Sequence, residues 1–143
     1  MILLGTTILV YAKGAGHPLT EPCRRLIDAA GDQRIEATTT PEVIQEFAHV
    51  RARRRTRGDA VELALAYADL LAPLVTVRDE HLRAGLVIFE RNQELGAFDA
   101  VLAAVAIEAE AEALVSADAA FAAVDGLTSI APGTERFDAL LSA

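Results

Sequence analysis

Three carboxylates stand where solubility alone does not account for an acid. Asp118 closely follows the apolar run Ala113–Ser116 (ALVS), so a strand there projects the carboxylate from its carboxyl end. Asp99 opens the apolar stretch FDAVLAAVAI, and Glu46 lies mid-helix between Ile44 and Phe47, where an unpaired carboxylate is costly. Each has a plainer alternative. Asp99 could be an N-cap and Asp118 could cap the short turn after it. Glu42, one turn before Glu46, could simply complement a helix dipole. Together they mean more. Carboxylates gathered at one sheet edge repel unless a cation lies between them, and hard oxygen ligands with few histidines nearby favour Mg²⁺ or Mn²⁺ over zinc. Such a site can activate water and stabilise charge on a phosphodiester during in-line displacement.

A basic counterpart follows Glu46. The segment RARRRTR carries Arg51, Arg53, Arg54, Arg55 and Arg57, more positive charge than a helix C-terminus needs, and it could contact phosphates. His17, His49 and His81 have no metal-ligand spacing and read as surface or packing residues. No GxxxxGK[ST], GxGxxG or GxSxG occurs, which removes the usual nucleotide-loop and serine-hydrolase readings. Cys23 is the single cysteine. It excludes an internal disulfide, suits a reducing cytoplasm, and reads as a small buried hydrophobe.

The elements that must position these residues alternate between strand and helix. MILLGTTILVYA gives a short buried strand broken by Gly5-Thr6-Thr7 and then a helical turn, ended by His17-Pro18. A helix is expected over 18–30 and a weak strand over 34–38. Thr40-Pro41-Glu42 starts a helix whose apolar face is Val43, Ile44, Phe47 and Val50. Residues 60–72 continue as a helix that Pro73 stops, and the β-branched Leu74–Val77 (LVTV) reads as a buried strand. Asp79 can cap a helix reaching about Leu95, closed by Gly96, and residues 98–112 form an alanine-rich helix. After ALVS come one helical turn over 118–123, a last strand over 128–131 and a closing helix over 135–141. Strands alternating with helices imply a parallel sheet covered on both faces.

The totals fit one domain spanning 1–143, 52% hydrophobic and 24% charged. A net charge of −8 argues against nucleic-acid binding over the whole surface but not at one basic patch. No apolar run is long enough to span a bilayer, and no secretory signal is visible, so a cytoplasmic protein with no membrane is expected.

Four segments, taken in order, resemble a known family: MILLGTTILVYA, TTTPEVIQEFAHV, FDAVLAAVAI and ALVSADAAF. The chain is similar to PIN-domain proteins, specifically the VapC-type toxin ribonucleases of bacterial toxin–antitoxin pairs. The resemblance implies a three-layer α/β/α fold with a central parallel sheet of four to five strands, and RNA cleavage dependent on Mg²⁺ or Mn²⁺. It also implies a homodimer and neutralisation by a cognate VapB-type antitoxin. Glu46, Asp99 and Asp118 match three of the family's four acids, and Thr6, Thr7 and Ser116 match the polar positions beside them. The fourth acid, an Asp at the end of the first strand, is replaced here by Gly5, which has no side chain to bind a metal. An impaired nuclease is therefore expected. Two origins of Gly5 stay open: an inactivating change that lets a toxic chain be made, or a degenerate member that binds RNA or antitoxin without cutting.

Overall fold

Strand β1 (Ile2–Leu4) is wholly buried, and everything else is arranged around it. A computed structural model describes the chain from Met1 to Ala143. It places β1 between β2 (Ala37–Thr38) and β3 (Ala113–Val115), with β4 (Ser129–Ile130) outside β3, all parallel, in the order β2-β1-β3-β4. The register pairs Ile2 with both Ala37 and Ala113, and Leu4 with Val115. Successive crossovers from β1 go to opposite sides, so the strand order reverses between β1 and β3. The crevice beyond their carboxyl ends is where open α/β sheets take ligands.

Seven helices sandwich this sheet: α1 (Thr6–Ala12), α2 (Thr20–Gly31), α3 (Pro41–Arg54), α4 (Arg57–Leu70), α5 (Asp79–Arg91), α6 (Ala97–Glu108) and α7 (Glu135–Ser142). Helices α3 and α4 form one packed hairpin and α5 and α6 another, while α1 lies against α2 and α3. The four strands and the α/β/α layering agree with the fold expected from the sequence. No helix is long and apolar enough to cross a membrane.

The helix starts follow from capping. The Thr40 hydroxyl accepts from the Val43 N–H with Pro41 at the first helical position, and Thr56 and Thr134 cap α4 and α7 in the same way. Each such cap satisfies one N–H that the helix cannot pair internally. Cys23 packs fully buried in α2, where burial pushes its thiol up to about 11, consistent with a hydrophobe rather than a nucleophile.

Four expectations are corrected. Leu74–Val77 is not a strand: it runs beside β2 with Val75 N–H bonded to Thr39 O as its one tie to that edge. The neighbouring carbonyls of Leu71 and Pro73 are taken by the Thr38 hydroxyl, 2.9 Å from each, so a side chain replaces the ladder. Asp79 is the first residue of α5 rather than its cap, a place held by Arg78. Helix α5 ends at Arg91, not near Leu95, and Gly96 starts α6 instead of closing α5. Helix α6 stops at Glu108, because Glu110 turns the chain at positive φ before β3.

Candidate functional site

Asp99, Asp118 and Glu46 arrive at the β1–β3 crevice from three elements. Asp99 sits at the third position of α6, behind Gly96 as N-cap, so it is not itself the cap. An acid in a helix's first turn is ordinarily favoured by the dipole. Here burial, then the charges of Asp118 and Glu46, push its carboxyl up to about 6. Desolvation and like charge therefore outweigh the helix dipole at Asp99, which feels both other acids.

Asp118 follows β3 and does cap the 3₁₀ turn Ala119–Ala123, where Oδ1 accepts from the Ala120 N–H at 2.9 Å. The capping reading and the site reading are thus compatible, because the second carboxylate oxygen has no such bond. Glu46, half-buried on α3, lines a cleft with Thr6, Thr7, Tyr11 and Arg54. Glu42 faces a different, apolar groove shared with Leu82, Leu86 and Phe98, so the two glutamates of α3 serve different surfaces.

The polar residues beside the acids have separable jobs. Thr7 Oγ1 accepts from the Ala117 N–H at 2.9 Å and lies 3.3 Å from Ser116 Oγ, which accepts from the Asp118 N–H. These bonds tie the carboxyl end of β3 to the start of α1 and fix the backbone that carries Asp118. Thr6 Oγ1 is buried without a partner, a state that costs free energy unless a ligand, water or side chain completes it.

Gly5 follows β1 beside Ser116, buried, with its N–H bonded to Val115 O at 2.9 Å. Its φ of −85° and ψ of 167° are ordinary extended values, so the backbone does not require glycine. A Cβ there would lie 3.2 Å from Ser116 Cβ and 3.3 Å from its Oγ, asking Ser116 to give by a few tenths of an ångström. Gly5 is also the N-cap of α1 and makes no side-chain cap bond, at a position where Asp is among the best caps.

These residues can be tested against a divalent ion. The raised Asp99 carboxyl and the unpartnered Thr6 hydroxyl are what a cation or a further polar group would relieve. Yet no three His, Cys, Asp or Glu side chains come close enough together to hold a metal ion. The donor set therefore does not fit a metal ion as it stands.

The five arginines do not share a face. Arg51 is bound to Asp59 at 2.6 Å and to the Lys13 carbonyl, bridging α3 to α4 and α1. Arg53 and Arg57 line a shallow pocket with His49 between α3 and α4, while Arg54 borders the acidic cleft and Arg55 a cavity next to it. Of the histidines, His81 is buried and His49 exposed, whereas His17 stacks on Tyr11 with ring centroids 4.4 Å apart. Sequence reasoning missed Tyr11 and Lys13 at the site's border; aromatic and basic residues six and eight positions after Gly5 were the available signal.

A family model described as PIN domain matches residues 2–127. Ribonuclease VapC7 of Mycobacterium tuberculosis is 51% identical over 142 residues, covering 99% of this chain and 98% of that one. Ribonuclease VapC13 of the same organism is 32% identical over 92% of this chain and all of its own. Among solved structures, VapC20 of Mycobacterium tuberculosis, described as a sarcin–ricin loop cleaving toxin, superposes with a TM-score of 0.73 at 19% identity, covering 86% of this chain and 94% of its own. VapBC2 of Rickettsia felis, bound to a DNA fragment from its promoter, gives 0.71 at 18% identity over 92% and 98%. At such identities the structural likeness speaks for the fold alone.

Proposed function

The chain belongs to the PIN-domain family, and from that premise we propose that it is the ribonuclease toxin of a VapBC-type toxin–antitoxin pair, impaired in cleavage by Gly5. The observation that supports this reading is the raised Asp99 carboxyl, whose ionisation burial and the charges of Asp118 and Glu46 oppose. Asp99, Asp118 and Glu46 are the catalytic carboxylates of the proposal, and position 5 is the place of the lost ligand. Thr7 and Ser116 hold the Asp118 backbone, and the Thr6 hydroxyl waits for a partner in the same cleft. With Asp at position 5 the reading calls for Mg²⁺ or Mn²⁺, which would lower the charge on the phosphodiester. The arginines bordering the cleft steer RNA, and a VapB-type antitoxin covers the site in a cytoplasmic complex. One domain over 1–143 is part of the same reading.

Gly5→Asp tests it. The variant is expected to cleave structured RNA with added Mg²⁺ and to stop when the ion is chelated, while the Gly5 chain stays at least a hundredfold slower. A Gly5→Asp chain as inert as its parent would remove the active-site assignment. It would favour the other reading, a PIN domain that binds RNA or antitoxin without cutting. That alternative rests on the absence of any three-acid cluster tight enough for a metal.

A further inference from the structure

Beyond the acidic cleft a second cavity opens, of about 210 Å³, lined by Lys13, Arg51, Arg54 and Arg55 with Val10 and Val50. Val10, Val50 and Arg54 also line the cleft that holds Glu46, Thr6 and Thr7, so the two adjoin across a shared wall as neighbouring parts of a groove between α1 and α3. The chain's only lysine is brought here from the end of α1, across the sequence from the arginine run.

The cationic end is held in place. Arg24 donates to the Ala12 and Gly14 carbonyls, and Arg51 to the Lys13 carbonyl. Two guanidiniums thus satisfy the carbonyls at the C-terminus of α1 and complement its dipole, fixing the backbone from which the Lys13 side chain leaves. Beside this groove stands the Tyr11–His17 stack, its planes 27° apart. His17 Nδ1 accepts from the Leu19 N–H at 3.0 Å, which fixes the exposed ring's orientation without a ligand.

Resting on the ribonuclease reading above, we propose that this groove is a track for single-stranded RNA. An unstacked base packs on the Tyr11–His17 pair, and Lys13, Arg54 and Arg55 hold the adjoining phosphate. Stacking on aromatic faces together with cations tracking the backbone is how proteins bind single strands. By helix rise, Lys13 lies roughly 9 Å along α1 from Thr7, which puts the cations on a neighbouring phosphate rather than on the one being cut. Arg53 and Arg57, on the far side of α3, take no part. The groove therefore sets which stretch of RNA is presented, and the carboxylates act on what it presents.

Because the Gly5 chain is expected not to cut, binding can be read at equilibrium. The probe is a fluorescein-labelled single-stranded RNA of mixed sequence, followed by anisotropy across a salt series. Lys13→Ala and Arg54→Ala are each expected to weaken binding three- to tenfold and to lower the slope of log K against log salt by about 0.7. His17→Ala and Tyr11→Leu are expected to weaken it fivefold or more with the slope unchanged, and Tyr11→Phe to retain it. Arg83→Ala, on exposed α5, is the charge-matched control and should match the parent. A slope change in Arg53→Ala or Arg57→Ala equal to that in Arg54→Ala would overturn the track in favour of a diffuse basic patch. So would unaltered RNA affinity in Lys13→Ala, Arg54→Ala and His17→Ala, with loss instead of a complex with an antitoxin. Neither result depends on whether Gly5→Asp cleaves, so the two readings fail separately.

Discussion

At the residue scale the chemistry turns on charge held too close. Asp99 carries a carboxyl at about 6 because burial and two neighbouring acids oppose its ionisation. Its unfolded value is about 4. Between those values the folded chain binds more protons than the unfolded one, so stability falls as pH rises across that window and levels off above it. Asp99→Asn is therefore expected to melt higher than the parent at pH 7, with the difference vanishing by pH 4. Thermal scans from pH 4 to 7 check this, and a parent that gains on Asp99→Asn as pH rises would mean Asp99 has a cationic partner. The same field explains why an Asp at position 5 is not simply stabilising. It would gain a cap bond and a favourable dipole interaction at α1, offset by three like charges and by a close Ser116. The three acids were legible in the sequence because each sits at an element end or on an apolar face, where solvation cannot explain it. The isolated Thr6 hydroxyl and the Tyr11–His17 stack were not, since each depends on contacts that only the folded backbone creates.

At the element scale, packing decides what propensity leaves open. Gly85 lies inside α5, where alanine would ordinarily favour the helix by about 1 kcal/mol. A Cβ there would meet the Val101 backbone at 2.6 Å, the closest approach any of the glycines shows. Gly85→Ala should therefore destabilise the chain, by about 1–3 kcal/mol, because α6 must move away as a unit. Urea unfolding checks it, and a stabilised variant would show that α5 and α6 are not in this contact. The Thr40-Pro41 start of α3 was readable because capping is local in sequence, whereas the Thr56 cap was passed over and α4 begins at Arg57, not residue 60. The LVTV segment was misread because β-branching reports fit to a sheet and not membership of one; the edge beyond β2 is closed by Thr38, 33 residues before Leu71. Arg78 held the cap expected of Asp79 because His81 accepts the Arg78 N–H and then meets Glu108 across the hairpin at 3.1 Å. That partner lies 27 residues further along the chain, beyond any local pattern.

At the scale of the whole molecule, the alternation of strands and helices announced a parallel sheet, but not its order. The order β2-β1-β3-β4 sets β1 beside β3, which brings Gly5 against Ser116, two residues before Asp118. The same layout leaves one surface unfinished. Leu82 and Leu86 on α5 and Phe98 on α6 are exposed by between 38% and 47%, lining an apolar groove that also includes Val77 and Val101. A chain this small with that much apolar surface in one region is expected to cover it with another protein surface. A two-fold pairing of α5–α6 hairpins would bury it on both copies at once. The chain alone should therefore run in light scattering at about twice its 15.2 kDa, and Leu86→Glu should return it to a monomer while keeping the far-ultraviolet circular dichroism of the parent. A parent that is monomeric at all accessible concentrations would assign the groove to a different partner, the antitoxin. In that case Leu86→Glu should weaken the antitoxin complex instead. Either outcome leaves the acidic crevice on the sheet's carboxyl edge free to be read separately by RNA binding.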